Sequence, residues 1–360
     1  MINVTKTYLP PLEEYVKYLE KLWASGTVTN NGVLVQELEA KLAEYLDVPF
    51  IQYISNGTMA IQIALRALDI HGEVITTPFS YVATTNAILW EYCEPIFVDI
   101  DPKTFCINPA KIEASITERT RAILAVHVYG YPCDVKAIDG IAKKYNLKVI
   151  YDAAHAFGCK LNGSSLLNYG DLSTLSFHAT KLFHTVEGGA IVAHTPQMAD
   201  TLIKIKSFGH LGDEYYTLGL NGKNSELHAA MGLCVLPNVA GIAQRRRAIC
   251  EVYDNELRGL GIVFFKISQD YEYNYAYYPV VFQNETQLLS VKQTLNSNQI
   301  NPRRYFYPSL NTLPFLRTRQ LCPISEDVSS RVLCLPLYES LEKQDVLRIS
   351  ALIKKVLRMS

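Results

Sequence analysis

The stretch "LSFHATKLFHTVEGGAIV", Leu175 to Val192, sets one lysine, Lys181, on a connection between two segments that read as buried strands. The residues before it, "LSTLSF" (172–177), and after it, "GAIVAH" (189–194), are rich in types that suit a sheet, and a Glu-Gly-Gly turn closes the connection. A strand that is apolar on successive residues buries both its faces, which is the habit of sheets covered by helices on either side. Lys181 is then either a solvated loop charge or the reactive group of a site at the sheet's edge.

The pattern extends in both directions. "PFIQYIS" precedes the helical "TMAIQIALRAL"; "EVITTP" precedes "SYVATTNAILWEY" and "EPIFVDI"; "AILAVHV" precedes the helix "DVKAIDGIAKKYN" and the strand "KVIYDAA". Short apolar strands alternating with amphipathic helices predict an α/β fold with a parallel or mixed sheet. After Leu236-Pro237 the texture changes. "AQRRRAICEVYDNELRGLGI" reads as a long helix, and "NYAYYPVVF", "QLLSVKQTLNSNQI" and "EKQDVLRISALIKKVL" as a smaller α+β unit. The expected organisation is an N-terminal helical arm (1–47), a large α/β domain (48–236) and a small C-terminal α+β domain (237–360).

Composition narrows the function classes. The chain has 360 residues, 49% of them hydrophobic, enough for a large core. A net charge of -1 gives no support for nucleic acid or an anionic membrane as partner. The N-terminus lacks an apolar leader, and no apolar run reads as long enough to span a bilayer, so a cytoplasmic protein is expected. Eight cysteines without a CxxC pair suit reduced thiols better than zinc or disulfides. His178 and His184 flank Lys181 but lie six apart with no acidic cluster beside them, so no metal is expected.

Ligands of open α/β sheets bind beyond the carboxyl ends of the strands. At one such end, Ser55-Asn56-Gly57-Thr58 opens a helix, where free N–H groups hold a phosphate or a side chain simply caps the turn. At a second, Tyr81 is an aromatic placed to stack on a flat ligand or to pack half-buried. At a third, "KVIYDAAHAFG" runs an apolar strand into Asp152, with His155 three residues on. A buried carboxylate demands a cation or good hydrogen bonds: a Lys, an Arg, or a protonated ring nitrogen. At the fourth, Ser176 ends the strand five residues before Lys181.

Taken in order, these features resemble the nucleotide-sugar aminotransferases of the DegT/DnrJ type, fold-type-I enzymes that use pyridoxal 5'-phosphate. The likeness runs from "YLPPLEEYVKYLEKLWASGTVTNNGVLVQELEAKLAEYL" through "SNGTMAIQIALRAL", "PIFVDIDPKTF", "YDAAHAFG" and "SFHATKLFHTVEGGAIV" to "CPISEDVSSRVLCLPLY". The resemblance implies that Lys181 bonds the cofactor, that Asp152 pairs with its ring nitrogen, and that His155 lies beside its phenolic oxygen. It implies that Tyr81 covers the ring and that Gly57, Thr58 and Ser176 cradle the phosphate. Asn221, in "GLNGKNSELHAAMG", falls where relatives reach the partner subunit's cofactor, which implies a homodimer with shared active sites. In "INPRRYFYPSLNTLP", Arg303, Tyr305 and Tyr307 are substrate candidates, with Arg304 a further cation for a diphosphate.

The likeness has local departures: Asn221-Gly222-Lys223 where many relatives have Asn-Tyr-Arg, and Val186 where a glycine is common. Lysine at 181 rather than histidine favours transamination over dehydration. The implied reaction is glutamate-dependent amination of a nucleotide-linked keto-6-deoxyhexose in amino-sugar and polysaccharide (O-antigen) biosynthesis. The nearest likeness is to conversion of dTDP-4-keto-6-deoxyglucose into dTDP-4-amino-4,6-dideoxyglucose. Amination at C3 and a non-catalytic binding or sensor protein on the same fold are the alternatives. A nicotinamide-dependent nucleotide-sugar enzyme would want GxGxxG after the first strand, and "SNGTMA" has one glycine.

Overall fold

The computed structural model describes residues 1–263 and 267–359. Its centre is a seven-stranded sheet in the spatial order Phe50–Ile54, Gly189–Ala193, Leu172–Ser176, Lys148–Asp152, Thr120–Val126, Glu73–Thr76, Glu94–Phe97. Gly189–Ala193 runs antiparallel to both its neighbours, and the remaining pairs are parallel. The mixed sheet follows from the connection: the twelve residues between Ser176 and Gly189 form turns without a helix and fold back, whereas parallel neighbours need a crossover, usually helical.

Both faces of the sheet are buried, residue by residue. Val149 and Tyr151 point into one core while Ile150 points into the other; Ala190 and Val192 oppose Ile191 in the same way. This alternation between two cores explains why the strands read as continuous apolar runs. One core receives the helices Gly57–Ala67 and Pro196–Lys206, through residues such as Ile63 and Leu202. The other receives Val33–Leu46 through Leu34, Leu38 and Leu42, and Val135–Tyr145 through Ile138. The first turn of Val33–Leu46 is closed by a distant carboxylate, since the amides of Leu34 and Val35 donate to Glu226 at 2.7 and 3.2 Å.

A third core collects Ile249, Tyr253, Val280, Leu288, Val291, Ile349 and Ile353, around the helices Val239–Leu257, Glu285–Ser297 and Lys343–Met359. The first residues of the chain join it, Ile2–Asn3 pairing in parallel with Ile300–Asn301. The helical stretch Glu226–Leu257 links the cores. By length and composition alone its 32 residues could cross a membrane, contrary to the sequence expectation, but 56% of its apolar window is buried inside the protein. All eight cysteines are free and buried.

Candidate active site

A cavity of about 700 Å³ opens where the carboxyl ends of the parallel strands meet the C-terminal segments that carry Tyr277 and Arg303 to Phe306. Gly57, Thr58, Tyr81, Asp152, His155, Ser176, Lys181, Arg303 and Tyr305, all named from sequence, line it. The connection bearing Lys181 is held at its base. The Phe177 amide donates to the Gly188 carbonyl at 2.7 Å, the Thr185 amide to the Phe177 carbonyl at 2.9 Å, and the Lys181 amide to the His178 carbonyl at 2.9 Å. Burial pushes the Lys181 amine down to about 8, against the opposing pull of Asp152 and Tyr81. A lysine so placed holds an appreciable neutral fraction near neutral pH, as a nucleophile or base requires.

The helix Gly57–Ala67 points its N-terminus into the cavity. Its first intrahelical bond is Ala60 amide to Asn56 carbonyl, and the Asn56 side chain accepts from the Met59 amide at 2.8 Å. The amides of Gly57 and Thr58 precede that bond and face the positive end of the helix dipole. Ser176 abuts this terminus so closely that a Cβ on Gly57 would lie 2.8 Å from the Ser176 Cβ. Together they form a cradle sized for an anion and closed to a side chain.

Asp152 ends its strand only 5% exposed. Thr84 donates to its Oδ2 at 2.8 Å and the Ala154 amide to its Oδ1 at 3.1 Å. Among the described residues no Lys, Arg or His lies within ion-pair distance of it. Burial raises its pKa, with the two hydrogen bonds and the more distant charge of Lys181 opposing. A cation in the cavity would complete it. His155 is buried, and burial drives its pKa well down, so the ring is neutral. Its Nδ1 accepts from the Tyr129 amide at 3.2 Å, which leaves the proton on Nε2. Its ring stacks on Phe306 at 5.5 Å between centroids.

An anion cradle, a carboxylate lacking its cation, a neutral imidazole N–H and a lysine amine fit the phosphate, pyridine nitrogen, phenolic oxygen and carbonyl of pyridoxal 5'-phosphate. Three residues considered from sequence fall outside the cavity. Arg304 is tied to Glu285 at 2.7 Å and to the Ser330 carbonyl, and its guanidinium lies 3.4 Å from the Tyr307 ring centroid, so the two pack on each other. Asn221 is exposed and bridges its backbone to Ser207. The next residue, Gly222, is packed so that a Cβ would lie 2.7 Å from Ile63 Cδ1. Tyr277, Phe306, His178 and Glu187 line the cavity and were not anticipated. His178 and Glu187 lay inside the quoted stretch, 3.5 Å apart in the structure. Tyr277 sits in "NYAYYPVVF", where nothing local separates it from the two other tyrosines, Tyr275 and Tyr278.

Known proteins agree with this geometry. The chain is 42% identical over 362 residues, 99% of each chain, to the dTDP-4-amino-4,6-dideoxy-D-glucose transaminase of Shigella dysenteriae. Its structure superposes on that of DesI, crystallised with its TDP-sugar product, with a TM-score of 0.94 at 29% identity, covering 99% of this chain and 93% of the other. It also superposes on ntda from Bacillus subtilis, which holds the cofactor PMP, with a TM-score of 0.87 at 30% identity over 96% of this chain and 82% of the other. The protein is a pyridoxal-phosphate-dependent sugar aminotransferase of the α/β fold expected from sequence. Across residues 12–354 it matches, and so belongs to, the DegT/DnrJ/EryC1/StrS aminotransferase family.

Proposed function

We propose that this chain moves the amino group of glutamate to C4 of dTDP-4-keto-6-deoxyglucose, giving dTDP-4-amino-4,6-dideoxyglucose. The observation that carries the reaction type is the convergence of Lys181, Asp152 and the Gly57–Ser176 cradle on one cavity. The sugar rests on the similarity to the Shigella dysenteriae transaminase. Amination at C3 has no comparable support, and a non-catalytic role leaves the reactive lysine unexplained.

Pyridoxal phosphate, when bound, supplies a carbonyl that accepts an amine and a ring that withdraws electrons. Gly57, Thr58 and Ser176 would hold its phosphate, Asp152 would keep its ring nitrogen protonated, and His155 would donate to its phenolic oxygen. Tyr81 would cover the ring. Lys181 would hold the carbonyl and, as a neutral amine, would take the proton from the donor's α-carbon. In the second half-reaction it returns a proton to the sugar carbon that receives nitrogen. Arg303, whose guanidinium lies 5.6 Å from the Tyr305 ring centroid, would meet the substrate diphosphate at the cavity wall. Tyr305 would contact the sugar nucleotide beside it, whereas Tyr307, packed under Arg304, is withdrawn from this role.

The working unit in this reading is a cytoplasmic homodimer in which Asn221 completes the other subunit's phosphate site. Leu9, Leu12, Trp23, Tyr215 and Leu218 are all more than half exposed, an apolar surface that suits such an interface. In this reading a helical arm (1–47), a large domain (48–236) and a small domain (237–360) make up the subunit. The test is incubation with glutamate and a panel of dTDP- and GDP-linked keto sugars, with NMR locating the new C–N bond. The expected product carries nitrogen at C4 of the dTDP sugar; amination at C3 alone would overturn the regiochemistry.

A further inference from the structure

Lys181 Nζ has one side-chain hydrogen-bond partner among the described residues, the hydroxyl of Tyr277 at 3.3 Å. Tyr277 comes from the C-terminal part of the chain, 96 residues along, and its placement is fixed from several directions. Asn274 donates to the carbonyls of His155 and Phe157 at 2.9 and 3.0 Å and accepts from the Ala276 amide at 3.0 Å. The Tyr273 hydroxyl contacts the carbonyls of Tyr129 and Tyr277 at 3.0 and 3.2 Å. The Tyr277 ring packs edge-on against His155 and Tyr305, with centroids 4.9 and 6.0 Å away. The segment carrying the phenol is thus clamped to the loop that follows Asp152 and carries His155.

We propose that Tyr277 is a positioning residue for the reactive lysine, its oxygen accepting an N–H of Lys181 so that the amine's lone pair faces the cavity. Burial raises the phenol's pKa, so the group stays a neutral acceptor and does not compete as a base. A neutral phenol oxygen accepts from the lysine both as amine and as ammonium. It can therefore hold Nζ in one orientation while the proton comes and goes. The long lysine side chain has much rotamer freedom to lose, and a fixed partner removes that cost before bond formation.

This rests on the reading of Lys181 as the cofactor lysine, and the test separates the two. Full-length protein freed of cofactor is mixed with pyridoxal phosphate, and the growth of visible absorption from the bond to Lys181 is timed for wild type and Tyr277→Phe. Pyridoxamine phosphate, which has no carbonyl, is titrated in parallel by protein fluorescence. Phenylalanine keeps the ring contacts, so the fold and cavity wall persist. The expected result is capture slowed at least fivefold, with pyridoxamine phosphate affinity within threefold of wild type. Capture slowed less than fivefold would overturn the proposal. So would a larger fall in pyridoxamine phosphate affinity, which would make Tyr277 a wall of the cavity. No visible band in the wild type would instead defeat the reading of Lys181.

Discussion

Replacing Gly57 with alanine tests the anion cradle at its tightest point. The new Cβ would sit 2.8 Å from the Ser176 Cβ and 3.2 Å from both its Cα and Oγ. The nearest of these atoms belong to a central strand, paired through Gly189 opposite Ser176, so the helix must give way. Overpacking of this kind costs about 1–3 kcal/mol. The better helix propensity of alanine returns at most about 1 kcal/mol. The net expectation is a loss of about 1–2 kcal/mol, read as a lower urea midpoint in the cofactor-free protein. Moving the helix terminus also misplaces the Gly57 and Thr58 amides, for which we expect about tenfold weaker binding of pyridoxamine phosphate, or ~1.4 kcal/mol. A double-mutant cycle locates the cause. Ser176→Gly removes the 2.8 Å contact and should recover at least ~1 kcal/mol of the alanine variant's loss, whereas Ser176→Ala retains the Cβ and should recover nothing. Wild-type stability in Gly57→Ala, or equal rescue by both serine variants, would refute the close-approach argument.

Two further predictions concern strain and acid stability. Val186 has φ 67°, a conformation that costs a β-branched residue about 1–2 kcal/mol; Val186→Gly should therefore leave thermal stability within ~1 kcal/mol of wild type despite the lost side chain. A loss above ~2 kcal/mol would show that valine earns its place by packing. His127 is fully buried, accepts from the Cys133 amide at Nδ1, stacks on Tyr151, and leaves Nε2 without a partner among the described residues. Burial lowers its pKa from 6.5 to about 3. The folded state thus resists a proton that the unfolded chain accepts. This contribution is whole above pH 6.5 and is lost as pH falls from there toward 3, about 2 kcal/mol of it by pH 5. Urea midpoints between pH 7 and 4 should fall less steeply in His127→Phe, and an unchanged slope would contradict the assignment.

The large domain was legible because its strands bury both faces. Runs such as "KVIYD" and "GAIVA" can alternate between two cores only in a sheet covered on both sides. The cavity residues that sit at strand ends were legible for the same reason, since Asp152, Ser176 and Gly57 each follow directly from an apolar run. What the C-terminal part of the chain adds was harder to read. Arg303 and Arg304 are adjacent and chemically equal in sequence; only Glu285 and the Ser330 carbonyl, reached through tertiary packing, withdraw Arg304 from the cavity. Tyr277 is singled out by the Asn274 clamp on the His155 loop, a contact across more than a hundred residues that leaves no local trace. The strain at Val186 is likewise a property of the folded turn.

The central claim is that Lys181 is the residue that bonds the cofactor, and the visible spectrum tests it most directly. Wild-type protein mixed with pyridoxal phosphate should develop a visible band that borohydride fixes to the peptide containing Lys181, with a rate that rises about tenfold per pH unit and levels off near the lysine's pKa of about 8. Lys181→Ala should bind pyridoxamine phosphate with near wild-type affinity yet form no such band. A colourless wild type, or a band that persists unchanged in Lys181→Ala, would contradict the account.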